Sequence, residues 1–68
     1  MKILLNGNPY ELDAGAPLTQ LLSRAGLPPD RKGVAVARNG EVVPRAAWER
    51  TTLQEGDRVE LVSATQGG

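Results

Sequence analysis

"LTQLLSRAG" (Leu18–Gly26) places Leu18, Leu21, Leu22 and Ala25 at i, i+3, i+4 and i+7. That spacing predicts one apolar stripe along an α-helix, with Gln20, Ser23 and Arg24 turned to water. Pro17 suits the first helical position, and Gly26 suits the left-handed residue that closes a helix. A helix with one apolar stripe needs an apolar face to lie on. Upstream, "MKILL" (1–5) has the length of a strand, and "NGNP" (6–9) carries a strong hairpin signal. "YEL" (10–12) then alternates as a returning strand, with Tyr10 and Leu12 on one face. "DAGAP" (13–17) breaks that pattern.

Downstream, "LPPDRKG" (27–33) reads as loop, because successive prolines exclude helix and central strand alike. "VAVAR" (34–38), "NG" (39–40) and "EVV" (41–43) read as a second hairpin, which Pro44 ends. "RAAWER" (45–50) has room for a helical turn, "TL" (52–53) for a brief pairing, and "EGD" (55–57) is a turn. "RVELVS" (58–63) alternates, with Val59, Leu61 and Ser63 on one face. This order predicts an α+β fold: a mixed sheet of four to five strands covered by one main helix, with the first and last strands side by side. That is the β-grasp (ubiquitin-like) arrangement. The inward face of "VAVAR" stays open. Either Val34 and Val36 point at the helix and Arg38 escapes at the strand end, or Ala35 and Ala37 do and the valines lie on the free face. Residues 1–63 form the β-grasp domain, and residues 64–68 form a flexible tail that ends in Gly-Gly.

Composition excludes much. A chain of 68 residues is one domain, and at this size folding buries only about 60% of the unfolded chain's surface. With no Cys and no His there is no disulfide framework, thiolate nucleophile, zinc-thiolate site or imidazole acid/base. Eight basic residues balance eight acidic ones, and one Trp and one Tyr are the only aromatics, so nucleic acid is not expected as a partner. No apolar run approaches the roughly 20 residues that span a bilayer. A cytoplasmic domain without membrane contact is expected. Ser23 and Ser63 have no histidine to activate them. "DRKG" (30–33) lacks phosphate-loop spacing, and "PDRK" (29–32) with Arg24 reads as a solvated basic cluster. Asp13, Asp30 and Asp57 sit in predicted turns, where carboxylates bond the local backbone. No internal residue reads as catalytic, and no metal set is present.

The chain end is different. "ATQGG" (64–68) leaves the last strand directly, and five extended residues reach about 16 Å. Glycines without Cβ atoms can enter a narrow channel. A terminal carboxylate, ionised at neutral pH, can attack the α-phosphate of ATP, and the acyl-adenylate can then accept sulfur. A Gly-Gly pair alone is a weak signal, since termini fray.

"VAVARNGEVVPRAAW" (34–48) and "LQEGDRVELVSATQGG" (53–68), with "MKILLNGNPYEL" and "LTQLL", resemble the ThiS family, the sulfur carriers of thiamine biosynthesis. Val43, Pro44, Arg45 and Trp48 are the most specific part. The resemblance implies a β-grasp protein that is no enzyme and binds no cofactor itself. A ubiquitin-activating-like (ThiF-like) adenylyltransferase would adenylate Gly68 with ATP and Mg²⁺. A cysteine desulfurase would supply sulfur for the thiocarboxylate, and a ThiG-like thiazole synthase would take it. Gly67 would give access, and Arg45 and Gln66 are candidate partner contacts. Trp48 reads as a packing residue over the edge of a small core. Arg45 either orders its turn through a carbonyl or meets a partner's acid. Two positions depart from expectation. Ala16-Pro17 stands where a capping hydroxyl is common, and Gln66 stands where a smaller residue is expected. The alternatives are a carrier for molybdopterin synthesis or tRNA thiolation, a ubiquitin-like protein modifier, and an interaction module with an idle tail.

Overall fold

Both Asn-Gly pairs turn the chain through the left-handed region. In the computed structural model, which describes residues 1–27, 30 and 32–63, Asn6 and Gly7 have φ of 50° and 85°, and Asn39 and Gly40 have 52° and 85°. Positive φ at both central residues marks the primed turns whose twist matches that of paired strands. The first joins β1 (Lys2–Leu5) to β2 (Asn8–Glu11), and the second joins β3 (Val34–Arg38) to β4 (Glu41–Val42). β2 starts before "YEL", because the two-residue turn pairs Leu5 with Asn8 and Leu4 with Pro9. Proline fits there because β2 is an edge strand and needs no N–H on its open side.

β5 (Arg58–Ser63) completes a five-stranded sheet of order β2-β1-β5-β3-β4. It runs parallel to β1 and antiparallel to β3. The first and last strands are therefore neighbours, as the element order predicts, and β5 lies at the centre.

Helix α1 covers Leu18–Arg24 and buries Leu18, Leu21 and Leu22 against the sheet. Ala25 departs from the predicted stripe. It is the exposed C-cap residue, because the helix closes there. Gly26 follows with φ of 79°. Its N–H donates to the Ser23 carbonyl at 3.1 Å, and that of Leu27 donates to the Leu22 carbonyl at 2.9 Å, the paired bonds of a Schellman closure. Pro17 is not the first helical residue either. It holds the extended cap position, at φ −74° and ψ 157°, without a side-chain cap bond. Instead the Leu18 N–H donates to the Thr51 carbonyl at 2.8 Å, and the Leu53 N–H donates to the Ala16 carbonyl at 2.9 Å. A backbone strap does the work of the missing hydroxyl, and Ala16 itself is buried. The brief pairing expected at "TL" is this strap, with Pro17 bridging Thr52.

"RAAWER" forms a full 3₁₀ helix over Arg45–Arg50. Its carbonyls at Ala46 and Ala47 accept bonds from Arg50 Nη1 at 3.2 Å and Thr51 Oγ1 at 2.7 Å, which satisfies groups a short helix leaves open. The helix drives Trp48 into the core beside Ile3, Leu12, Leu18, Leu21, Leu22, Val36, Leu53 and Val59. Val36 is buried and Ala35 exposed, so the valine face of β3 meets the helix. Arg38 escapes at the strand end, where Nη1 donates to the Thr52 carbonyl at 2.9 Å.

Leu21 is fully buried beneath the helix. Leu21→Ala is expected to cost about 3 kcal/mol through lost transfer energy and residual cavity. Urea unfolding checks this as a lower midpoint at unchanged slope.

Candidate functional site

The residues with the strongest chemical expectation, Gln66, Gly67 and Gly68, lie outside the described residues, as does the proposed tail over 64–68. What the structure describes is the strand that leads to them. β5 is gripped at its start by a polar latch. Asp57, the buried acid, accepts the Gln54 N–H on Oδ2 at 2.8 Å and Asn39 Nδ2–H on Oδ1 at 3.1 Å. Arg38 Nη1 stands 3.9 Å from Oδ2. Asn39 Oδ1 also accepts the Arg58 N–H at 2.8 Å. The turn role expected of Asp57 holds, and it extends to a second turn 18 residues away in sequence. At the other edge of the strand, Asn6 bonds both backbone groups of Leu61.

Trp48 packs as expected. It is 3% exposed, and its indole N–H donates to the Val43 carbonyl at 2.9 Å. Arg45 sits on the surface with its guanidinium 4.3 Å from the indole centroid. Stacking on the ring helps to order its turn, while the side chain stays at the surface. Asp30 is exposed, Asp13 accepts from Gln20 Nε2 at 3.4 Å, and neither joins a chemical group. Part of the basic cluster, Arg31, lies outside the described residues. Among the described residues no group of three His, Cys, Asp or Glu gathers to hold a metal, and no helix is long and apolar enough to cross a membrane.

The site that residue-by-residue reading misses is the sheet face turned away from α1. The register sets Val62 opposite Ala35, Glu60 opposite Ala37, and Ala37 opposite Val42. These side chains line a shallow depression of about 230 Å³. Val42 is 77% exposed and Val62 63%, large fractions for valines in a sheet. The sequence signal was present in the alternation of β5, which puts Val62 on the face opposite Val59 and Leu61. The strand order was needed to bring Val42 to the same face, across the alanines of β3.

The description "ThiS family" belongs to a family model that matches residues 3–68. A thiazole synthase of Magnetococcus marinus is 44% identical over all 68 residues, and the chain spans only 20% of that relative's length. The sulfur carrier protein ThiS of Escherichia coli is 34% identical over 68 residues, with 100% of both chains covered. A crystal structure of a thiamine biosynthesis protein (ThiS) from Geobacter metallireducens matches with a TM-score of 0.81 at 36% identity, covering 100% of each chain.

The open-face valines Val42 and Val62 are exposed and lie outside the buried core cluster. Val42→Lys and Val62→Lys are each expected to change unfolding free energy by less than about 1 kcal/mol. Thermal unfolding of the two variants checks this.

Proposed function

The chain belongs to the ThiS family, and on that premise we propose that it is a sulfur carrier of thiamine biosynthesis whose Gly68 carries the reactive carboxylate. The observation that supports this reading is the place of β5. The strand that leads to Gly68 is the centre of the sheet, so the folded domain presents residues 64–68 from a fixed point. The chain acts as a protein substrate and not as a catalyst.

The chemistry balances in three steps. A carboxylate oxygen of Gly68 attacks the α-phosphorus of ATP, the bond to the β-phosphate oxygen breaks, and pyrophosphate leaves. A desulfurase takes sulfur from cysteine as an enzyme persulfide, whose outer sulfur attacks the acyl carbon and expels AMP. A thiol reductant then supplies two electrons to cleave the acyl disulfide, which frees the desulfurase thiol and leaves the thiocarboxylate. The thiocarboxylate that remains differs from the starting acid by one sulfur in place of one oxygen. ATP and Mg²⁺ belong to a ThiF-like adenylating partner. Gly67 keeps the approach to the reacting carbon narrow, and Gln66 and Arg45 are assigned to partner contact.

A thiazole synthase is the acceptor this reading favours over molybdopterin or tRNA-thiolating enzymes. Relatives named thiazole synthase carry a segment like this chain within one polypeptide. We assign the open face around Ala35, Ala37, Val42 and Val62 to docking that enzyme, since the face adjoins the end of β5 and a tethered acceptor is the surface nearest to it.

Intact mass after incubation with ATP, cysteine, a desulfurase, a thiol reductant and the adenylating partner tests the proposal. A gain equal to exchanging one oxygen for one sulfur is expected, and deleting Gly68 or adding an alanine after it abolishes the gain. No gain with an adenylating partner active on another carrier would overturn the reading. Covalent adducts on lysines in lysate would favour a protein modifier instead. Val42→Lys and Val62→Lys are expected to accept sulfur yet to deliver it to thiazole synthase at least about tenfold more slowly, the scale of a buried interface contact.

A further inference from the structure

β1 accompanies β5 only at Leu4 opposite Arg58 and Leu5 opposite Val59, and the chain then turns away at Asn6-Gly7. β3 runs beside β5 as far as Ser63, which it pairs with Val34. Past Val59, therefore, the central strand is paired on one edge only. The Asn6 side chain fills the other edge. Its Oδ1 accepts the Leu61 N–H at 2.8 Å, and its Nδ2 donates to the Leu61 carbonyl at 3.2 Å. The Asn6 backbone N–H donates to the Val59 carbonyl at 2.9 Å. A side-chain amide offers an N–H donor beside a carbonyl acceptor, as a backbone residue does, so Asn6 stands in for the β1 residue that the turn removes.

We infer that Asn6 is the positioning residue for the reactive tail. This deepens the sulfur-carrier reading and rests on it. The second turn supplies the comparison. Asn39 has nearly the same left-handed conformation, but its side chain holds Asp57 and Arg58, at the beginning of β5. The two asparagines grip opposite ends of one strand, and Asn6 grips the end that leads to Gly68. Without Asn6, residues 61–63 keep β3 alone, and a two-stranded ribbon twists more and opens more readily. The five residues beyond Ser63 span at most about 16 Å, which leaves little slack to absorb a moved base. The loss falls on engagement of the carboxylate after docking, because the substitution removes two bonds within the domain and leaves its other surface side chains in place.

Asn6→Gly keeps a turn at positive φ and removes both side-chain bonds, and Asn39→Gly does the same at the other hairpin. Amide hydrogen exchange of the full chain and steady-state thiocarboxylate formation are measured for both. With Asn6→Gly, the Leu61 amide is expected to exchange faster, and kcat to fall about tenfold at unchanged KM, as for a misplaced reacting group. Asn39→Gly is expected to keep the wild-type kcat. If Asn6→Gly does not fold, Asn6→Asp replaces it. That variant retains the acceptor for Leu61 N–H, sets an oxygen against the Leu61 carbonyl, and is expected to lower kcat by a smaller factor. Equal kcat for the two asparagine variants, a change confined to KM, or unaltered Leu61 exchange overturns the positioning role. Failure of the wild-type protein itself to gain sulfur is a separate result, seen without any variant, and it overturns the carrier reading together with the role built on it.

Discussion

A central strand has no solvent edge, so each of its backbone amides and carbonyls needs a partner within the protein. β5 meets that demand between two hairpins that are both too short to cover it. β1 leaves it after two residue pairs, and β3 pairs with it only from Val59, opposite Arg38, to Ser63. The shortfall at each end is met by an asparagine in a turn, Asn6 at Leu61 and Asn39 at Arg58. The two Asn-Gly turns thus have a second task beyond reversing the chain. Their side chains extend the ladders that their own backbones give up.

The same economy governs the helical side. A seven-residue helix is too short to persist by itself in water. It is held by the sheet beneath its leucines and by a strap running from Thr51 to Leu53, which takes up the exposed amide of Leu18. Trp48 closes the core between strap and helix, and the stacked Arg45 shields the ring's outer surface. One layer of apolar side chains is therefore enclosed by short elements, each satisfied by backbone groups of another.

The architecture was legible because its signals were local. Asn-Gly pairs, a leucine stripe and the alternation of β5 each lie within a few residues of sequence. Other features were not legible, for physical reasons. In "VAVAR" both faces are apolar, so period alone does not choose between them, and only the fixed pairing of Val36 with Leu61 does. Ala25 fits the helical period, yet the glycine after it ends the helix before that residue turns inward. The bonds of Asn6 to Leu61 cross 55 positions, and no local pattern announces them. The open face likewise joins Val42 to Val62 through strand order. Gly67 and Gly68 are the reverse case: sequence and chemistry alone point to them.

The central place of β5 also sets the order in which this domain can assemble. The two hairpins and the helix precede it in the chain, and β1 and β3 do not touch each other in the sheet except through it. During vectorial synthesis the N-terminal hairpin has no sheet to join, and the leucine face of the helix has no continuous floor. Residues 58–63 supply the last and most distant contacts of the described domain, which places its closure after the other strands and the helix have been made rather than stepwise along them. A truncated product lacking this strand has two unconnected ribbons and an uncovered apolar stripe, which is the kind of chain that cellular proteases remove. A folded copy is thus one that extends through β5, the strand from which the tail departs.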